Sequence, residues 1–158
     1  MNAAPVLAAA RALKFVREEP RNSNAGQAVE AMLRLCGLDK GYPWCAAMVA
    51  WVGRAAYGKA WPLPLTAGCA ALGEAAKAKG ILVKTPLPGD VFLVWFPKLG
   101  RFGHTGFVTE VIELANGICK LRCIEGNTND GGSRDGWGVF ERDRTFGPDD
   151  RFIRWHTP

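Results

Sequence analysis

No stretch of this sequence stays apolar for the roughly 20 residues that a membrane-spanning helix needs, so no integral membrane segment is expected. A secretory leader is not expected either. The opening segment, MNAAPVLAAARALKFVREEP, has no positive charge before its apolar run. Arg11 and Lys14 interrupt that run, and Glu18 and Glu19 follow it. It reads as an amphipathic helix, and synthesis in the cytoplasm is expected. Histidine is scarce: His104 and His156 stand far apart, and no CxxC pair occurs, which leaves zinc without a ligand set. The five cysteines, at 36, 45, 69, 119 and 123, are odd in number, which argues against a disulfide framework. On an extended strand rising about 3.3 Å per residue, Cys119 and Cys123 lie too far apart to bond to each other. Cys36, Cys69, Cys119 and Cys123 read as small buried hydrophobes.

What is present describes an ordinary folded protein. With 158 residues, 48% apolar and 22% charged, the chain can bury one complete core and is not of disordered composition. Residues 1–158 read as a single domain with no repeat and no separate binding module. The net charge of +5 favours an anionic partner without naming one. No nucleic-acid motif occurs. The arginines from Arg142 to Arg154 alternate with Asp143, Asp149 and Asp150, which reads as a solvated face, so no nucleic-acid partner is expected.

The periodicity changes halfway along the chain. Helices are predicted over residues 5–18, 25–36, 44–57, and from an N-cap at Thr66 through Lys79, with Gly37, Gly58 and Gly80 as stops. After the turn Pro88-Gly89-Asp90, the pattern becomes that of strands: VFLVWF, HTGFVTEVIEL, ICKLRCIEG, WGVFER and RFIRWH. Asn116-Gly117 is a hairpin signal. Helices followed by an antiparallel meander predict an α+β fold, with the helices on one face of the sheet.

Within GYPWCAAMVAW, Cys45 opens the third helix just after Pro43. A thiolate is favoured in the first turn of a helix, where partial positive charge and free N–H groups collect, and its own N–H is placed to help hold an oxyanion. A thiol nucleophile needs a base. His156 lies too near the C-terminus to be favoured. His104, in RFGHTGFVTEVI, begins a strand between Gly103 and Gly106, which let another backbone come close. In CIEGNTNDGG, Glu125 ends a strand and Asn127 follows two residues later, on the same face if the strand continues. Either could accept from the imidazole Nδ1–H and fix the tautomer that takes the thiol proton. Trp95, Phe96 and Phe102 flank the expected cleft and read as core. NTNDGGSRD lacks the acidic residues of a calcium loop and reads as a glycine-rich loop.

In this order, GYPWCAAMVAW, LPGDVFLVWF, GHTGFV and IEGNT resemble the CHAP family, the cysteine, histidine-dependent amidohydrolases/peptidases, and its phage and prophage members above all. NSNAGQAVEAMLRLCG resembles the segment before the cysteine in that branch, and the likeness runs from about residue 20 to residue 144. The resemblance implies a papain-like α+β fold, with Cys45 as nucleophile, His104 as base, and Glu125 with Asn127 as polar supports. It implies peptidoglycan as substrate. No cofactor and no metal site are expected, and the reading is of a monomeric phage endolysin, made in the host cytoplasm, that acts on the wall after release. Many family members carry Gln before the cysteine, whereas this chain has Trp44. Two rival readings are a papain-like amidase or toxin acting on a non-wall substrate, and a non-catalytic phage structural or binding module. The second is disfavoured by the presence of both Cys45 and His104.

Overall fold

The computed structural model describes residues 1–115, 117–129 and 136–157. Four helices, α1 (Ala4–Ala12), α2 (Gln27–Leu35), α3 (Cys45–Tyr57) and α4 (Cys69–Ala78), precede six strands. The strands are β1 (Leu82–Val83), β2 (Val91–Phe96), β3 (Arg101–Ala115), β4 (Ile118–Thr128), β5 (Gly138–Phe146) and β6 (Arg151–Ile153). They form one antiparallel sheet in the order β1-β6-β2-β3-β4-β5. This is the expected α+β, papain-like architecture.

Alternation along the strands divides the apolar residues between the two faces of the sheet. Val91, Leu93, Phe107 and Ile124 join the main core under the helices, while Phe92, Val108, Cys123 and Phe152 form a smaller cluster on the other face. Helix α3 lies at the centre, against α1, α2, β3 and β4. Its first six residues are all buried, and the small side chains Ala46, Ala47 and Ala50 let its neighbours approach on several sides. That placement fixes Cys45 inside the domain.

Three boundaries differ from the sequence reading, two because a tertiary contact overrides local pattern and one because of a local side-chain bond. Helix α1 stops at Ala12 instead of residue 18. The chain after it becomes a strap: Arg17 bridges to Gly138, and its guanidinium donates to the carbonyls of Lys14, Val16 and Val139. Thr66 does not cap α4. Its Oγ1 accepts the Gly68 N–H at 3.1 Å, so the helix begins only at Cys69. The last expected strand stops at Ile153, and Arg154, Trp155 and His156 fold back onto the turn at residues 88–90. The two-residue strand β1 was not expected. At the β3–β4 hairpin Ala115 pairs with Ile118 and Gly117 has φ of 76°; Asn116 lies outside the described residues. Residues 130–135 of the glycine-rich loop also lie outside them.

The arginines read as a solvated face need correcting as well. Arg154 makes a two-point contact with buried Asp90, Nε to Oδ1 at 2.7 Å and Nη2 to Oδ2 at 2.9 Å. His156, expected to be too terminal for order, is buried and bonds Asp90 Oδ1 through Nε2 at 3.1 Å. Arg142 and Arg144 turn toward Glu125.

Candidate active site

Cys45 is the first residue of α3, and its thiol is buried at the floor of an open cleft of about 420 Å³. The first α-helical bond here runs from Met48 N–H to Trp44 O. The N–H groups of the first turn are therefore directed to the helix end, where they favour negative charge.

Trp44, the residue before the cysteine, is not among the residues that line the cleft. It is fully buried, and its indole N–H donates to Glu18 Oε1 at 2.8 Å. The strap after α1 is what delivers Glu18 to that bond. On its other side Trp44 packs on Gly126, where a Cβ would come within 2.5 Å of the ring. The absence of a side chain at Gly126 thus lets the start of α3 lie directly against the end of β4, which carries Glu125 and Asn127.

His104 sits on β3, almost fully buried, and its Nε2 donates to Glu125 Oε2 at 2.7 Å. The close approach depends on Gly106, because a Cβ there would meet the Ile124 carbonyl at 2.6 Å and the Glu125 Cβ at 2.8 Å. The sequence reading placed Nδ1–H on the carboxylate. The structure reverses the ring: β3 presents Nε2 to Glu125 on β4, so Nδ1 is not engaged by the carboxylate. Nδ1 is then the atom left to exchange a proton with Cys45.

Glu125 is fully buried yet charged, because cations surround it. Arg144 Nε donates to both of its oxygens, at 2.9 and 2.7 Å, and Arg142 Nε lies 3.6 Å from Oε1. Burial alone would raise its pKa, but the bonds and charges of His104 and Arg144 win and hold it below the ordinary carboxylate value. A carboxylate that stays ionised in the interior is what keeps an imidazolium beside it.

The shifts at the other two groups agree on an ion pair. Burial pulls His104 down, but the bonds to Cys45 and Glu125, reinforced by their charges, raise it to about 9. The Cys45 pKa is lowered well below that of a free thiol. The largest cause is a hydrogen bond from Cys69, opposed by burial and helped by the bond and charge of His104 and by the Ala46 N–H. Both shifts favour a thiolate facing an imidazolium.

Asn127 does not share the face of Glu125 as simple alternation would require. The β4–β5 register shifts between Glu125 and Thr128, and Asn127 takes a left-handed conformation with φ of 55°, which asparagine tolerates. Asn127 is among the residues that line the Cys45 cleft. Among the described cleft-lining residues it is the one carboxamide.

Two cleft residues were missed as functional candidates. Cys69, read as an inert hydrophobe, opens α4 and places its sulfur 3.6 Å from that of Cys45. Like Cys45 it starts a helix, but nothing local in the sequence shows that the two helix starts meet. Arg101, at the start of β3, brings the cleft a positive charge, and Cys36 is half-buried on the same wall. Trp95 and Phe102 pack edge-on, with ring centroids 5.2 Å apart, over a separate depression next to α4 and are not part of the Cys45 cleft. Among the described residues, no group of three or more His, Cys, Asp or Glu is placed to hold a metal ion, and no helix is long and apolar enough to cross a membrane.

A thiolate at a helix start, an imidazolium on a neighbouring strand and a buried carboxylate behind it are the parts of a papain-like cysteine hydrolase. The family model described as CHAP domain matches residues 37–127, more than half the chain. The protein belongs to that family, the cysteine, histidine-dependent amidohydrolases and peptidases. Neither the curated proteins nor the solved structures gave a match.

Proposed function

We propose that this protein is a peptidoglycan hydrolase of phage-endolysin type that cuts an amide bond of the bacterial cell wall. The observation that carries the chemical part is the Cys45–His104–Glu125 alignment opening on the cleft. The wall as substrate draws on three further features: the net charge of +5, the positive Arg101 at the cleft, and the likeness of GYPWCAAMVAW and the segment before it to phage members. A basic surface concentrates an enzyme on an anionic wall.

In the proposed cycle, the proton of the Cys45 thiol already rests on His104 Nδ1 when substrate arrives. The thiolate attacks the amide carbonyl carbon, and the oxyanion is held by N–H groups of the first turn of α3 and by Asn127, in the role that a Gln at position 44 would fill. His104 then gives its proton to the leaving amine, and the C–N bond breaks. A thioester remains on Cys45. Water, deprotonated by the same imidazole, attacks the thioester and releases the carboxylic acid and the thiolate. Glu125 orients the ring throughout and stabilises its cationic form, while Arg144 keeps Glu125 ionised.

Incubation of purified peptidoglycan with the wild type and with Cys45→Ser, followed by mass spectrometry of the soluble fragments, tests the reading. The wild type is expected to release fragments with one new amine and one new carboxyl, and Cys45→Ser none. Intact wall in both samples, with cleavage of a soluble acyl amide by the wild type alone, would retain the hydrolase and remove the wall as its substrate.

A further inference from the structure

Cys69 has no part in the hydrolytic cycle, yet it occupies the most sensitive place in the molecule. Its sulfur touches that of the nucleophile, 3.6 Å away, and the two cysteines are the first residues of their respective helices. Both line the open cleft, so a small oxidant that reaches one reaches the other. The sulfurs must close by about 1.5 Å to reach the ~2.05 Å of a disulfide, a movement within the range of side-chain rotation and a small shift of a helix end. Cys36, which lines the same cleft, has no sulfur contact with either of them among the described residues.

We propose that Cys45 and Cys69 form a reversible redox couple: oxidation by a peroxide joins them in a disulfide that switches hydrolysis off, and a dithiol reductant restores it. The inference rests on Cys45 being the nucleophile. In the first step the Cys45 thiolate attacks one oxygen of hydrogen peroxide; the O–O bond breaks, hydroxide leaves and is protonated, and Cys45 becomes a sulfenic acid. In the second the Cys69 sulfur attacks the sulfenic sulfur; an S–S bond forms, the S–O bond breaks, and water leaves with the Cys69 proton. Two thiols lose two electrons and two protons, and one peroxide becomes two waters. The division of labour fits the site. The hydrogen bond to Cys45, together with burial, keeps Cys69 protonated, so Cys45 reacts first and Cys69 resolves. Because a disulfide is formed, the nucleophile is kept from the irreversible sulfinic and sulfonic stages.

The same contact has a second consequence. An enzyme made where thiols are reduced would be active there, and would be silenced on meeting peroxide until a reductant reaches it.

The test treats the wild type, Cys69→Ala and Cys69→Ser with hydrogen peroxide, then with dithiothreitol. Activity is followed relative to each variant's own untreated rate, and the cysteines are mapped by alkylation and peptide mass spectrometry. The wild type is expected to lose nearly all activity, to yield a cross-linked peptide pair two hydrogens lighter that contains Cys45 and Cys69, and to regain most activity on reduction. Both Cys69 variants are expected to lose activity without recovery, with two or three oxygens added at Cys45. Mapping reads the bond independently of turnover. A cross-link with no hydrolase activity in any untreated sample would therefore sink the nucleophile reading alone. Oxidation of Cys45 in the wild type without the cross-link, or equal recovery in the Cys69 variants, would overturn the couple.

Discussion

The domain holds two buried histidines, each bonded through Nε2 to a buried carboxylate that an arginine also grips. At the cleft the set is His104, Glu125 and Arg144; at the end of the chain it is His156, Asp90 and Arg154. The inner partners are alike, and the difference lies at the other ring nitrogen. Nδ1 of His104 is left for the Cys45 thiol at the floor of a cleft, whereas Nδ1 of His156 has the Thr157 carbonyl 3.4 Å away. A carbonyl has no proton to exchange. One arrangement is a reactive site, and the other ties the end of the chain to the turn before β2. A buried His–carboxylate–Arg set therefore says little about catalysis until the third group is known.

The sharpest way to break this comparison is to delete each imidazole. His104→Ala is expected to lower kcat by roughly 10⁴-fold, the order seen when a triad loses a member. His156→Ala should leave the kcat of the folded enzyme near wild type and lower its denaturation midpoint instead. Comparable losses of kcat in the two variants would mean that the second set also serves the reaction.

Replacing the carboxylates sharpens the contrast next. The active form is the thiolate with the imidazolium, so the rate should rise with pH through the lowered Cys45 pKa and fall as His104 loses its proton at about 9. In Glu125→Gln the negative charge beside the ring is gone. The His104 pKa then drops, the alkaline limb moves to lower pH, and the acid limb moves up as the weaker cation holds the thiolate less well. A narrower profile with reduced kcat is expected. Asn127→Ala should reduce kcat with both limbs in place; movement of the limbs in that variant only would exchange the two roles. At the other set, Asp90→Ala strands Arg154 and His156 and should cost about 3 kcal/mol or more in stability, measured by urea unfolding, without displacing either limb.

The smallest effect expected is of salt. With screening lengths near 10 Å at 0.1 M, binding of the +5 protein to intact wall should weaken as ionic strength rises, while turnover of a soluble muropeptide changes little. Salt-insensitive wall binding would remove the electrostatic account.

Local pattern was enough to read the core of α2, the start of α3 and all of β2, because each is marked by its own periodicity and by a Gly or Pro stop. It was also enough to single out Cys45, His104 and Glu125, since a helix start, a glycine-flanked strand entrance and a strand end are sequence-local features. The rest depended on register and tertiary reach. Arg144 meets Glu125 only because β5 pairs with β4 in a particular register, so alternating arginines and aspartates looked like a solvated face. The orientation of the imidazole follows from which strand lies on which side of β3. The left-handed turn at Asn127 goes with a register shift that the alternation of CIEGN does not announce. Cys69 was hidden by distance along the chain, 24 residues from its partner.

The central claim is that His104 holds Cys45 as a thiolate at rest. The rate of iodoacetamide modification of Cys45, followed by peptide mapping against pH in the wild type and in His104→Ala, measures this directly. The wild type should react as a thiolate well below the ~8.5 of an ordinary cysteine, and the His104→Ala curve should shift upward. A wild-type Cys45 that titrates like a free thiol, or a curve that His104→Ala leaves in place, would contradict it.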